Sequence, residues 1–364
     1  MTVSADILDG LLRILNNRDG SDLHLKANCL PRVRAKGILA ELADVPVLSA
    51  SDVADIAQAS MTPTLWRTLD TDRQVDYAYS SADGSRYRVN TFYQRGMISM
   101  AFRRVASKPA AIEELGLPPV VTRLANERRG LILVTGPTGS GKTSTLAAMI
   151  GHINRTRSCH VITIEDPIEI LHSDDRSYIN QREIGFDCLD FAKSMKAAMR
   201  EDPDVILIGE MRDEETVHAA ISAAETGHLV MSTLHTTNAK ETISRIVDFF
   251  PSHQHLQIRA SLAGSLKGVV CQRLVRTKMA GLRPVLEVMV ANGRVAQSIL
   301  DPEKGGDIPS IIKEGEFYGM LTFEKSLFEL VNAGLIDVKE ALLSATSPQD
   351  LQVMLQRSGQ AKAR

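Results

Sequence analysis

The sequence is poor in cysteine, has no excess of charge of either sign and contains no long apolar run. Its four cysteines, Cys29, Cys159, Cys188 and Cys271, lie far apart and form no C-x-x-C pair. This spacing argues against a metal knuckle and fits a reducing cytoplasm. A formal net charge of −2 over 364 residues argues against a globally basic nucleic-acid binder, although a local basic patch is compatible with it.

No stretch of about 18 apolar residues could form a membrane-spanning helix. The first residues do not show the basic, apolar and small-residue order of a signal peptide, so we expect no such leader. Any role at a membrane is therefore expected to be peripheral. The chain is longer than the size at which one hydrophobic core keeps growing, which predicts more than one domain.

The pattern along the chain predicts four segments. Residues 1–104 mix short strand patterns with helical ones, including a hairpin around Asp83-Gly84, and predict an α+β domain. Residues 105–128 begin with a proline-rich stretch and are interpreted as a linker. Residues 129–290 repeat a strand pattern followed by a helix pattern, which is typical of an α/β fold with a covered parallel sheet. Residues 291–364 are predicted to be mostly helical.

The most specific motif is GPTGSGKT, which runs from Gly136 to Thr143 between an apolar strand pattern and a helix start. The glycines let the backbone curl so that successive N–H groups point at phosphate oxygens, at the positive end of the helix. Lys142 can reach the β- and γ-phosphates, and the Thr143 hydroxyl can ligate Mg²⁺. The chain is therefore predicted to bind a nucleoside triphosphate. The expected contacts are Gly136, Pro137, Thr138, Gly139, Ser140, Gly141, Lys142, Thr143 and Ser144.

Acidic residues follow the next two predicted strands: Glu165, Asp166 and Glu169 after one, and Glu210 after the other. The carboxyl ends of parallel strands are where ligands bind in such sheets. Phosphoryl transfer needs a metal, positive charge and a group that positions or deprotonates water. We predict that Glu169 is the general base and that Glu210 handles the Mg²⁺ shell. Glu165 and Asp166 are predicted metal-shell or orienting groups, with a solvated acidic turn as the alternative.

Two histidines, His228 and His235, bracket the fourth predicted strand. We predict that both sense the γ-phosphate; the alternative is a polar strand-end residue with a satisfied hydrogen bond. Metal ligation is not expected, because no third His or Cys is suitably spaced. The N-terminal segment carries several arginines in or beside strands, which either are solvated or reach a triphosphate at a subunit or domain boundary. They are Arg86, Arg88, Arg95, Arg103 and Arg104.

Four segments together resemble the Walker A, Asp, Walker B and His boxes of the secretion-superfamily ATPases, in the same order. They are GPTGSGKT, ITIEDPIE at 162–169, REDPDVILIGEMRD at 200–213 and AAETGHLVMSTLHT at 223–236. Within that superfamily, SDLHL at 21–25, RVN at 88–90 and Phe102-Arg103 resemble the PilT/PilU-like retraction ATPases of type IV pili, which drive twitching motility. The resemblance spans about residues 5 to 290.

This resemblance implies a PAS-like N-terminal domain, a RecA-like core that binds ATP and Mg²⁺, and a ring of six subunits. It implies Glu169 as the base, Glu210 near the metal, and His228 and His235 as sensors. Arg88 and Arg103 match arginines that reach the nucleotide. The implied partners are an inner-membrane pilus platform protein at the cytoplasmic face and a second related ATPase. We expect no nucleic-acid partner and no insertion into the membrane.

The resemblance leaves three functions: a motor for pilus retraction, an assembly motor for a pilus or for type II secretion, and an accessory ATP-binding ring subunit with weak hydrolysis. Lys142, Glu169 and Glu210 are intact, which favours a hydrolysing motor. Assembly-type ATPases usually carry a four-cysteine metal module, and its absence favours retraction. The A-I-R-N-L-I-R-E stretch common in retraction ATPases is replaced by NGRVAQSILD at 292–301.

Overall fold

The computed structural model of the protein describes residues 3–279, 281–301, 303 and 307–358. The chain divides into two compact units, Met1–Ser107 and Lys108–Arg364. None of the described helices is both long enough and apolar enough to cross a bilayer.

The N-terminal unit is built on a six-stranded antiparallel sheet in the order β3-β2-β1-β6-β5-β4. Apolar side chains from the sheet and from helices α1 and α2 form its core. The predicted hairpin around Asp83-Gly84 is confirmed, because β4 and β5 are paired antiparallel, with Ser80 opposite Arg86 beside the turn. The elements are α1 (Val3–Asn17), β1 (Gly20–Lys26), β2 (Arg32–Ala35), β3 (Ile38–Glu41), α2 (Ala50–Ser60), α3 (Pro63–Asp72), β4 (Gln74–Ser80), β5 (Arg86–Gln94) and β6 (Met97–Arg104).

The second unit alternates strands and helices and ends in a run of helices. Its first part comprises α4 (Pro119–Ala125), β7 (Gly130–Thr135), α5 (Lys142–Thr156), β8 (His160–Glu165), β9 (Tyr178–Glu183), α6 (Phe191–Ala198), β10 (Val205–Ile208), α7 (Glu214–Glu225), β11 (Leu229–Leu234) and α8 (Ala239–Asp248). Its second part comprises α9 (His255–Ser265), β12 (Leu266–Arg276), β13 (Leu282–Val290), α10 (Gly293–Leu300), α11 (Ile308–Glu314), α12 (Phe323–Asn332), α13 (Val338–Ser344) and α14 (Pro348–Arg357).

The seven strands form one sheet in the order β13-β12-β7-β11-β10-β8-β9. Only β13 runs antiparallel to its neighbour; the other described pairs are parallel. All residues of β7 and β11 are buried, since helices cover both faces of the sheet. The α/β prediction and the four predicted strands are confirmed. Each fully buried aliphatic side chain contributes about 1.5–3 kcal/mol to such a core.

The predicted linker at 105–128 is largely wrong. From Lys108 onward it belongs to the second unit, and its apolar side chains, including Ile112, Val121 and Leu124, pack into the core beside β7. Pro118 and Pro119 do not break an element here: they begin α4, where a proline fits because the first helical N–H has no partner within the helix.

Candidate active site

The phosphate loop joins the end of β7 to the start of α5. Gly136, Gly139 and Gly141 adopt φ values of +144°, +78° and +87°, a region that side chains with a Cβ rarely occupy. No side chain of the described residues caps the first turn of α5, so its N–H groups remain available to an anion. The loop therefore has the shape and polarity of a phosphate cradle.

Lys142 is the cation of this loop. Its Nζ donates to the carbonyl oxygens of Gly136 at 2.8 Å and Pro137 at 3.1 Å. Burial lowers the pKa of Lys142, while the negative charge of Glu169 raises it. Glu169 is therefore close enough to Lys142 for their charges to interact, as expected of a base that acts beside the terminal phosphate.

Most of the predicted site residues line one cavity of about 720 Å³, a volume typical of ligand pockets. The predicted members found there are Thr138, Gly139, Ser140, Gly141, Lys142, Thr143, Ser144, Glu165, Asp166, Glu169, Glu210 and His235. Gly136 and Pro137 precede the loop residues that line the cavity, and their carbonyl oxygens accept hydrogen bonds from Lys142. The structure therefore brings these residues together around the phosphate loop, as expected.

Glu165 is buried at the end of β8 and is held by two donors. Thr163 Oγ1 donates to its Oε1 at 2.6 Å, and Gln181 Nε2 donates to the same oxygen at 3.1 Å. Burial raises the pKa of Glu165, and these hydrogen bonds oppose the rise. Asp166, the next residue, is exposed at the rim.

Glu210 is held by two cationic or polar partners. The Nε of Arg212 forms an ion pair with it, and His235 Nε2 lies 3.2 Å from its Oε2. Arg212 also stands 3.9 Å from Asp166. Burial and then the positive charges of Lys142 and Arg212 lower the pKa of His235, which favours the neutral form of the ring. Sequence reasoning missed Arg212; the signal was a basic residue two positions after Glu210.

Gly209 occupies the position where many ATPases have an aspartate, and the structure shows why a side chain is disfavoured. A Cβ there would lie 3.3 Å from the Ile164 carbonyl oxygen and 3.4 Å from the Glu165 Cα. Both distances are tighter than most real Cβ contacts, so a side chain at position 209 would require the end of β8, which carries Glu165, to shift. Glu210 is consequently the acid that β10 presents to the cavity.

His228 does not lie beside the phosphate loop of its own chain, and its predicted role as a γ-phosphate sensor stays a prediction. His228 precedes β11, and its carbonyl accepts from Gly130 N at the start of β7, whereas the phosphate loop follows the end of β7. A six-residue strand separates the two edges by about 20 Å. The His228 Nδ1 lies 3.0 Å from the Ala223 carbonyl oxygen, which matches the alternative of a satisfied strand-end residue.

Arg88 and Arg103 lie on the N-terminal unit as directly opposed residues of β5 and β6. The Nε of Arg103 donates to Asp22 Oδ1 at 2.8 Å, while 70% of its side chain is exposed. Asp22 itself is buried. Of the remaining arginines, Arg104 pairs with Asp19. The role of Arg88 and Arg103 at a nucleotide stays a prediction.

The oxygen donors around the loop suit Mg²⁺. Thr143, Glu210, Glu165 and Asp166 offer hydroxyl and carboxylate oxygens, which this cation prefers. Within the described residues, no three or more His, Cys, Asp or Glu are arranged as a complete metal cage. Proteins usually hold Mg²⁺ by one or two carboxylates together with substrate phosphates and water.

Comparison with known proteins agrees with this geometry. The family model described as "Type II/IV secretion system protein" matches residues 9–299. The type IV pilus retraction ATPase PilT of Pseudomonas aeruginosa is 38% identical over 93% of this chain and 98% of its own length. A twitching motility protein of Neisseria gonorrhoeae is 40% identical over 89% of this chain and 87% of its own.

Among solved structures, the pilus retraction motor PilT with bound ADP superposes with a TM-score of 0.87 at 39% identity. The match covers 95% of this chain and 98% of the other. The resemblance therefore extends through both units and is not confined to the phosphate-loop motif.

Replacing Arg212 with glutamine should raise the pKa of His235. The substitution removes a positive charge that disfavours the imidazolium, and it leaves the negative Glu210 without its arginine partner. The pKa can be read from the ring NMR signals of His235 during a pH titration. Arg200→Gln, an exposed arginine outside the cavity, is the control and should leave the titration unchanged; an unmoved His235 titration in Arg212→Gln would contradict the assigned electrostatics.

Proposed function

The chain belongs to the type II/IV secretion system protein family, among its type IV pilus retraction ATPases, and from this membership we propose that it is a ring-forming motor that hydrolyses Mg²⁺-bound ATP to drive pilus retraction. The observation that carries the proposal is the convergence of Lys142, Glu169, Glu210 and His235 on one cavity at the phosphate loop. These groups supply what phosphoryl transfer to water requires.

Each group has a role that follows from its position. Lys142 and the first-turn N–H groups of α5 hold the β- and γ-phosphates. Thr143 and Glu210 would hold Mg²⁺, which would neutralise charge on the phosphoryl oxygens. Glu169 accepts a proton from the attacking water. His235 is proposed to sense the γ-phosphate through Glu210: its Nε2 lies 3.2 Å from Glu210 Oε2, and an N–H at this position donates to the carboxylate.

The nucleoside part of ATP fits a second cavity of about 550 Å³, which shares Gly141 and Ser144 with the phosphate cavity. Its other walls include the apolar side chains of Leu115, Leu274 and Leu282. An apolar slot beside a polar cradle suits a flat base joined to a triphosphate. We therefore propose that the two cavities together hold the whole nucleotide.

A ring of subunits is proposed to bring further positive charge to the nucleotide. Arg88 and Arg103 are proposed to reach the nucleotide from the N-terminal unit in a hexamer, where planar guanidinium groups stabilise charge on the transferred phosphoryl group. The ring would dock on a pilus platform protein at the inner face of the cytoplasmic membrane. Work from sequential turnover around the ring would then extract pilus subunits.

Glu169→Gln should lower the turnover of ATP by about 10²–10⁴-fold, the usual contribution of a general base. Binding of ADP should change little, because the amide keeps the shape of the side chain. Phosphate release and ADP affinity are measured on the same preparation. Glu225→Gln, an exposed carboxylate at the end of α7, is the matched control; a Glu169→Gln rate within threefold of the unmodified chain would remove the base assignment.

Removal of Arg88 or Arg103 should cost on the order of 10³ to 10⁵ in turnover at the upper end of such effects, with ATP binding retained. Arg103→Lys keeps a charge beside Asp22 and separates the loss of folding from the loss of catalysis. Arg95→Ala, in the turn between β5 and β6, serves as the arginine control. Near-normal rates in both Arg88→Ala and Arg103→Ala would exclude a finger role.

Deletion of the gene should leave cells with excess pili that do not retract, because assembly would continue without its opposing motor. Complementation with Lys142→Ala should fail, while the unmodified gene restores retraction. Pilus number and retraction are counted on labelled pili. Bald cells would instead identify an assembly motor, and unchanged pili would exclude a non-redundant role in either direction.

A further inference from the structure

Gln272 lies on β12, directly beneath the phosphate loop. Strand β12 runs parallel to β7, and Cys271 is paired with Thr135, the last residue before the loop. The side chain of Gln272 is only 3% exposed. A buried amide in such a place must have its polar atoms satisfied by the protein.

Both ends of this amide are engaged with the loop and the helix that follows it. Gln272 Nε2 donates to the Ser140 carbonyl oxygen at 2.7 Å. Thr145 Oγ1, in the first turn of α5, donates to Gln272 Oε1 at 2.7 Å. The amide thus spans the point where the loop becomes a helix.

Gln272 also fills the space at two bends of the loop. A Cβ on Gly136 would lie 2.3 Å from the Gln272 carbonyl oxygen, and one on Gly141 would lie 2.7 Å from its Nε2. Real Cβ atoms do not approach that closely, so the loop can lie this near to Gln272 only with glycine at both positions. The glycines and the glutamine therefore form one packed unit.

We propose that Gln272 is a positioning residue that holds the phosphate loop in its phosphate-binding shape before the nucleotide arrives. The inference rests on the proposed function, since it assigns a role within the same nucleotide site. The amide offers both a donor and an acceptor, whereas an ionised carboxylate lacks the donor and a leucine lacks both. A preformed loop binds more tightly because less ordering remains to be done on binding.

Gln272→Leu should weaken the binding of a fluorescent ADP analogue in Mg²⁺ buffer by about 10-fold or more, because two buried hydrogen bonds are lost and their partners are left unpaired. Val275→Ala, a truncation of a buried residue on the same strand, is the control for lost stability. It should lower the melting temperature while leaving the affinity within about twofold. Equal weakening in both variants, or an unchanged affinity in a folded Gln272→Leu protein, would overturn the proposal.

Thr145→Val removes one of the two hydrogen bonds of the Gln272 amide. It provides a second test of the proposal in case Gln272→Leu does not fold. It should weaken binding by roughly fivefold, which corresponds to about 1 kcal/mol, the usual contribution of a hydrogen bond to a neutral partner. When both single variants fold, their effects on affinity should be less than additive in the double variant, because they share a contact. Unchanged ADP affinity in Thr145→Val, or strictly additive effects in the double variant, would contradict the positioning role of Gln272. An unmodified chain that binds no ADP at all would instead reject the proposed function.

Discussion

The parallel register of four central strands decides which side chains in this protein can act together. Thr135 of β7 is paired with Leu234 of β11, and Ile208 of β10 lies between Ser232 and Ile164. The strands therefore end at one edge, where the phosphate loop, Glu165, Glu210 and His235 follow them. Helices bury both faces of the sheet, and a slip of one residue would place core side chains on the wrong face.

The same register explains what the sequence could predict. Strands β7, β8, β10 and β11 are short apolar runs, and whatever follows such a run in a parallel sheet lies at the ligand-binding edge. This argument predicts the cavity correctly. The argument does not extend to His228, because this residue precedes its strand. Residues immediately before and after a strand are close in the sequence but lie at opposite edges of the sheet.

Other features could not be predicted because they depend on contacts between distant parts of the chain. Gln272 touches Ser140 and Thr145 from more than 120 positions away, and no local pattern marks it. The stretch at 105–128 resembles a linker in the sequence because residues 105–119 contain three prolines and show little strand or helix pattern. Its apolar residues become core only because β7 and β12 present a surface for them.

Strand β12 places the phosphate loop and the C-terminal helices on one rigid element. Adjacent side chains of a strand point to opposite faces, so Gln272 contacts the loop while Arg273 faces the other way. The Arg273 guanidinium stacks 4.0 Å from the Phe323 ring at the start of α12, and it donates to the Ser344 carbonyl oxygen at the end of α13. Two adjacent residues of β12 therefore contact the phosphate loop on one side and the helices beyond residue 291 on the other.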